Sequence, residues 1–190
     1  MVKTTVVRSS WGWFGLAESA KGVCAIVLPQ TSKRAAEAKL RAVAGPCSAG
    51  PLSPGLRAAR TALLRYLAGD RRAFSLKLDL QRGTPFQRRV WTVLRAMPYG
   101  SLRSYRWVAG RVGGAGYARA VGNAVGANPI PIVIPCHRVV ASGSSLGGFS
   151  GGLSMKRRLL ALEGTLASLA KPRPRKRGAS RSRRPANRAS

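Results

Sequence analysis

Acidic residues, histidine and cysteine are all scarce in this chain. Asp and Glu number five, His one and Cys three among 190 residues. One histidine and three scattered cysteines, with no CxxC pair, speak against a tetrahedral zinc site, and no metal is expected. An odd cysteine count without a pairing pattern also excludes a disulfide framework and points to a reducing compartment. There is no apolar run long enough to span a bilayer and no uninterrupted apolar signal segment at the N-terminus. The expectation is a soluble protein of the bacterial cytoplasm, or of the nucleus in a eukaryotic host, with no membrane partner.

The shortage of acid leaves a large positive charge. Lys and Arg total 34, for a formal net charge of +29. Nine of these bases lie in residues 171–190, and the remaining 25 still face all five acids. Such a balance favours a polyanion, with nucleic acid first among the candidates. The length suits one domain, or a small domain fused to a medium one, with enough chain for a real core.

Residues 2–7, 15–17 and 22–28 have the composition of short strands separated by turn residues. Residues 32–44 have helical propensity, and 45–54, rich in Gly, Pro and Ser, form a loop. Ser53-Pro54 opens a helix whose apolar face is Leu56, Ala59, Leu63 and Leu67, closed by Gly69. Phe74, Leu76, Leu78 and Leu80 alternate with polar residues, which predicts a half-buried strand. Cys24 in an apolar strand and Cys47 in a loop are inert residues. Residues 1–80 are therefore expected to be a scaffold, joined by a linker at 81–83 to the rest.

Thr84-Pro85-Phe86-Gln87 is a helix start, with Thr as cap, Pro in the first turn and Gln three residues on. Phe86, Val90, Trp91, Leu94 and Met97 keep helical spacing until Pro98-Tyr99-Gly100. Ser104 caps a second helix over 105–112, which stops at Gly113-Gly114. A third follows over 115–127, and a short helix pair joined by a Gly-rich turn has the form of a helix-turn-helix. The third helix is built from small residues, with Ala118, Ala120, Gly122, Ala124, Gly126 and Ala127 around one charge, Arg119. Glycine inside a helix costs up to about 1 kcal/mol relative to alanine. Two glycines imply a reason, either close approach of a partner to the backbone or tight packing against another helix.

The segment Asn128-Pro129-Ile130-Pro131-Ile132-Val133-Ile134-Pro135 leads into Cys136-His137-Arg138-Val139 and contains the only histidine. Each proline fixes its own φ and restricts the residue before it, so this backbone has little freedom. A thiol attacks carbon as thiolate, and an imidazole can take its proton when a third group orients the ring. Cys136, His137 and Glu163 supply those three types, Glu163 being the only acid after Asp79. Neighbouring residues in extended chain point opposite ways, so Cys136 and His137 would communicate through a bend or a water. Residues 141–152 read as a flexible loop and 153–162 as a helix ended by Glu163-Gly164. Residues 171–190, rich in Arg, Pro and Ser with no large hydrophobic residue, are expected to be a disordered tail that either adds phosphate contacts or is merely solvated.

Pro135-Cys136-His137-Arg138-Val139, with Asn128-Pro129 before it and Gly151-Gly152 and Glu163-Gly164 after it, resembles the O6-alkylguanine-DNA alkyltransferases. The resemblance runs from about residue 84 to 164 and continues more weakly through the N-terminal half. It implies an α/β (α+β) fold: a small N-terminal mixed sheet and helix domain (1–80), then a mainly helical, winged helix-turn-helix-like DNA-binding and catalytic domain (84–167), then a basic tail (168–190). It implies single-turnover transfer of a methyl or alkyl group from O6-alkylguanine, and from O4-alkylthymine, in double-stranded DNA to Cys136, by a monomer without cofactor.

By the same resemblance a water links Cys136 to His137 and Glu163 fixes the imidazole. Tyr105 helps rotate the flipped nucleotide and protonates N3, and Asn128 is a hinge between the recognition helix and the active-site strand. Ala118, Ala120 and Gly122 belong to the helix laid in the minor groove, Arg119 fills the vacated base stack, and Arg138 is a further DNA contact. Val139, Ser150, Phe149 and Pro131 line the substrate pocket, with the carbonyls of Cys136 and Val139 turned toward the base. Phe149 and Gly148 stand where relatives often carry Tyr and Asn, and Val125 and Gly126 replace bulkier residues. Two other readings compete. A non-catalytic alkyltransferase-like DNA binder would lack the cysteine, and a Cys-His hydrolase would need an oxyanion hole.

Overall fold

The computed structural model describes residues 1–49, 51–72, 74–141 and 145–170. The N-terminal part is a four-stranded sheet in the order β3-β2-β1-β4, formed by β1 (Val2–Ser9), β2 (Gly12–Ser19), β3 (Gly22–Gln30) and β4 (Cys47–Ala49). The first three strands form antiparallel hairpins, and β4 joins β1 in parallel, Val2 opposite Cys47. Loop composition over 45–54 conceals that last strand.

β2 is covered on both faces. Phe14 and Leu16 point to the main core beneath α2 (Pro54–Leu67), whereas Ala17 packs with Ala25, Val27, Leu40 and Ala44 beneath α1 (Lys33–Ala44). The sheet is thus the middle of three layers. α2 begins as expected, Ser53 accepting from Leu56 N, and it buries Leu56, Ala59, Leu63 and Leu67 together with Tyr66.

Residues 74–80 do not form the expected strand. Only Leu78 bridges to Val23, flanked by Val23 N–H donating to Lys77 O (2.9 Å) and Asp79 N–H donating to Val23 O (2.8 Å). The alternating side chains are those of an extended strap that touches the sheet at one point.

The C-terminal part is mainly helical. α3 (Pro85–Arg95) starts in a full capping box: Thr84 Oγ1 accepts from Gln87 N, and Gln87 Oε1 accepts from Thr84 N. α4 (Tyr105–Val112) is capped by Ser104, and a short 3-10 turn, Ala115–Tyr117, separates it from α5 (Ala118–Gly126). The third expected helix is therefore shorter than 115–127. Trp91 Nε1 donates to Ala124 O (2.8 Å), fixing α5 to α3. Two-residue strands β5 (Arg103–Ser104) and β6 (Val139–Val140) pair in parallel and tie the start of α4 to the end of the active-site segment. α6 (Leu153–Leu162) follows, and then α7 (Leu166–Ala170), so residues 168–170 are helical rather than part of a tail. The tail expected over 171–190 lies outside the described residues, as do residues 142–144 of the expected flexible loop.

The main hydrophobic core runs without a break from Val7 and Phe14 of the sheet through Trp91 and Val121 to Cys136 and Leu159. Ile26 N–H also donates to Pro129 O (2.9 Å), so the sheet holds the entrance to the active-site segment directly.

Candidate active site

Asn128 organises the segment after α5. Its Oδ1 accepts from Ile130 N (3.0 Å), while Nδ2 donates to Ile134 O (2.8 Å) and lies 3.1 Å from Cys136 Sγ. Ile134 N–H donates to Ile130 O and Cys136 N–H to Ile134 O. Ile132 has φ +76° although β-branched and 1% exposed, a conformation that persists only where the surroundings enforce it. The expected active-site strand is instead a compact turn, folded by three prolines and one amide side chain. Cys136–Arg138 then form a 3-10 turn. Cys136 and His137 are consequently arranged by a bend, and the opposed directions of extended chain do not apply.

Cys136 is 1% exposed. Burial raises its thiol above the ordinary value, and the Asn128 hydrogen bond and the Lys156 charge oppose that rise. His137 is wholly buried, which lowers its affinity for a proton, with Glu163 opposing. At neutral pH the pair rests as thiol and neutral imidazole.

Glu163, at the C-terminal end of α6, sits under the imidazole with Oε1 at 2.9 Å from His137 Nε2. Arg138 clamps the same carboxylate, Nε at 2.9 Å from Oε2 and Nη2 at 2.8 Å from Oε1. Gly100 N–H (3.2 Å) and the Tyr66 hydroxyl (2.8 Å) complete the shell. Burial raises the Glu163 pKa, but the hydrogen bonds from His137 and Arg138 more than offset it and hold it at about 2. Only a protonated Nε2 can face that carboxylate at this distance, so Nδ1 carries the imidazole lone pair. Nδ1 is buried with no protein partner among the described residues. A base aimed away from its carboxylate, beside a thiol with a hydrogen-bond donor at sulfur, is an arrangement suited to moving one proton off Cys136.

Arg138 departs from its expected role. It is 6% exposed, and besides Glu163 it donates through Nη1 to Met97 O (2.5 Å). Its Nε, Nη1 and Nη2 each commit an N–H within the protein, which argues against the expected DNA contact.

Tyr105 stands at the first turn of α4, its hydroxyl 3.4 Å from Gly148 O. Gly147 has φ +67°, and a Cβ there would meet the Tyr105 ring at 2.9 Å, so glycine permits this approach. Lys156, unremarked in the sequence, is wholly buried and donates to Val139 O (2.6 Å), Leu146 O (2.5 Å) and Gly148 O (3.2 Å). Burial lowers its pKa to about 8. The Val139 carbonyl, expected to face a base, accepts from this ammonium, and the Cys136 carbonyl accepts from Val139 N. Pro131 and exposed Ser150 line a groove of about 380 Å³ with Asn128, Leu28 and Met155, between β3 and the active-site turn. Phe149 is half-buried and touches the position of a Cβ built at Gly151.

Arg119 and Ala120 are exposed on α5, and Ala118 and Gly122 half-buried. A Cβ built at Gly122 or Gly126 would meet nothing within 4 Å. The packing explanation for these glycines therefore fails, and the face they share with Arg119 is open to a partner.

Tyr66 and Lys156 are the two site residues not anticipated. Lys156 carried a signal, since its spacing from Leu159 and Leu160 places it on the buried face of α6. Tyr66 carried only its position three residues after Leu63 on the apolar stripe of α2.

Residues 85–165 match the family described as 6-O-methylguanine DNA methyltransferase, DNA binding domain. The methylated-DNA–protein-cysteine methyltransferase of Mycolicibacterium paratuberculosis is 54% identical over 98 residues, covering 52% of this chain and 59% of that protein. This sequence match therefore spans under two thirds of the curated relative. Structural similarity extends further. The Mycobacterium tuberculosis OGT solved in complex with DNA superposes with TM-score 0.72 at 35% identity, covering 88% of this chain and 96% of that one. The M. tuberculosis O6-methylguanine methyltransferase superposes with TM-score 0.70 at 37% identity, over 86% and 93% of the two chains.

Proposed function

This chain belongs to the O6-methylguanine-DNA methyltransferase family, and from that premise we propose that it repairs alkylated DNA by moving the alkyl group of O6-alkylguanine onto its own Cys136. The observation that carries the proposal is a buried thiol, 3.1 Å from the Asn128 amide, followed in the same turn by the His137–Glu163 pair.

The target carbon lies inside the duplex, so the nucleotide must leave the stack at a cost of a few kcal/mol. α5 enters the minor groove, its glycines admitting the DNA backbone, and Arg119 fills the gap. Tyr105 and the loop carrying Gly147 and Gly148 receive the base beside Cys136, with Ser150, Phe149, Val139 and Pro131 around it. Sulfur forms a bond to the alkyl carbon as the carbon–O6 bond breaks, and that electron pair returns to guanine. The thiol proton passes to His137 Nδ1 through a water, and Glu163 stabilises the resulting imidazolium. Tyr105 gives a proton to guanine N3 and recovers one from the relay, so the thiol proton in sum replaces the alkyl group on guanine. A thioether has no hydrolytic exit, so each molecule acts once.

The division into a scaffold (1–80) and a catalytic domain (84–167), action as a monomer, activity on O4-alkylthymine and residence in the bacterial cytoplasm belong to this same reading. Among the described residues no helix is long and apolar enough to cross a membrane. The test is repair of a duplex whose restriction site is blocked by O6-methylguanine. Cleavable product should rise to a plateau equal to the protein added. Continued turnover would favour a hydrolase, and lesion binding without product would favour the non-catalytic binder.

A further inference from the structure

We propose that Tyr66, supplied by α2 of the N-terminal part, is a positioning residue for the reaction, fixing the Glu163–His137 pair so that the imidazole keeps its lone pair at Nδ1. The inference rests on the transferase reading for its importance, though its structural content can be measured without DNA.

Glu163 Oε1 is a shared acceptor, reached by His137 Nε2 at 2.9 Å, Arg138 Nη2 at 2.8 Å and the Tyr66 hydroxyl at 2.8 Å. The Tyr66 oxygen is also 3.4 Å from His137 Nε2. A phenol has one proton, and here it is committed to the carboxylate. What Tyr66 turns toward Nε2 is therefore a lone pair. An Nε2 without its proton would face two electron-rich oxygens, so Tyr66 and Glu163 together exclude that tautomer. The Tyr66 ring cannot swing away: it is 2% exposed and held between Phe74, with centroids 5.5 Å apart, and Tyr99, at 6.1 Å. Burial, then the Glu163 charge, push its own ionisation well above the ordinary range, so it remains a donor at every working pH.

The hydroxyl also tempers Glu163. The charged and titratable groups around His137 are Glu163 and Lys156 from α6, Arg138 and Cys136 from its own turn, and Tyr66 from α2. Removing the phenol proton leaves more of the carboxylate charge for Nε2–H, which stabilises the imidazolium, so that the ring stays protonated to higher pH and less of it is free to act as base on the acid side. The N-terminal part thereby sets the state of the catalytic base, beyond the inert scaffold expected from sequence.

His137 is the only histidine, so its imidazole resonances assign themselves in NMR spectra of isotope-labelled protein. Wild type should show the Nε2–H tautomer at neutral pH. Tyr66→Phe, which keeps the ring, should raise the His137 titration midpoint by about one unit. It should also slow methyl transfer about tenfold on the acid limb of the rate profile, which moves upward by the same unit, with little change on the plateau. Tyr99→Phe is the control, because that hydroxyl donates to Leu162 O rather than to the pair. A Tyr66→Phe protein with lowered melting temperature but wild-type midpoint and rate profile would overturn the proposal, leaving Tyr66 a packing residue. An Nδ1–H tautomer in wild type would overturn it even if the variant does not fold. A midpoint shift in Tyr66→Phe beside a wild-type protein that accepts no methyl would instead sink the transferase reading alone.

Discussion

The Asn128 side-chain amide donates to Cys136 Sγ at 3.1 Å while holding the turn that carries the thiol, through Ile130 N and Ile134 O. One residue thus positions the nucleophile and eases its ionisation against the effect of burial. Replacing the donor with an isosteric carboxylate reverses that second effect. Asn128→Asp should slow alkylation of Cys136 by iodoacetamide at least about tenfold at neutral pH and shift its pH dependence upward. An unchanged profile would show that the amide does nothing for the thiol.

Gly122 offers an experiment in which stability and function move in opposite directions. Its Cβ would enter open space, so Gly122→Ala should stabilise the fold by about 0.5–1 kcal/mol through helix propensity. The same methyl stands on the face proposed to meet DNA and should weaken duplex binding, read by fluorescence anisotropy. Arg119→Ala should weaken binding as well, without the gain in stability. A Gly122→Ala protein that is more stable and binds duplex normally would remove α5 from the interface.

Much of this was legible in the sequence, and the gaps have physical causes. The capping signals at Ser53, Thr84 and Ser104 marked true helix starts because each side chain is bonded locally. β2 was seen only in part, since burial on both faces erases alternation at Phe14–Ala17. The strap at 74–80 alternated without pairing, because periodicity reports burial and not a hydrogen-bonded neighbour. Glu163 could be matched to His137 as the only acid after Asp79. Arg138 reads from sequence as a DNA contact because it is an arginine beside a nucleophile in a basic chain, and nothing local shows that Glu163 and Met97 bind its guanidinium. Tyr66 comes from 71 residues away and could be placed only by the fold.

Acid should unfold the protein partly through Glu163. Its folded pKa of about 2 lies below the ordinary 4.5, so its stabilisation is complete above pH 4.5 and is lost as pH falls from there toward 2. The loss is on the order of 3 kcal/mol. Glu163→Gln should begin less stable, with the Arg138 charge left buried, and should show a flatter decline over that window in urea titrations. An equally steep decline would place the acid sensitivity elsewhere.

Lys156 makes the alkaline side distinctive. Its folded pKa of about 8 lies below the ordinary 10.5, so from pH 8 to 10.5 the folded state binds fewer protons than the unfolded one. By linkage this group adds stability as pH rises through that range. Methyl transfer should nonetheless fall above pH 8, as the charge that favours the Cys136 thiolate disappears. Lys156→Met strands three carbonyl oxygens and should cost roughly 2–4 kcal/mol. A rate that stays level to pH 10 would contradict the role given to the ammonium.

The central claim is that Cys136 itself accepts the alkyl group. Intact-mass measurement after incubation with O6-methylguanine duplex, with Cys136→Ala in parallel, tests it most directly. The expected result is one added methyl on the wild-type protein alone, mapped to Cys136. An unmodified wild-type protein that still binds the lesion, or a methyl mapped to Cys24 or Cys47, would contradict it.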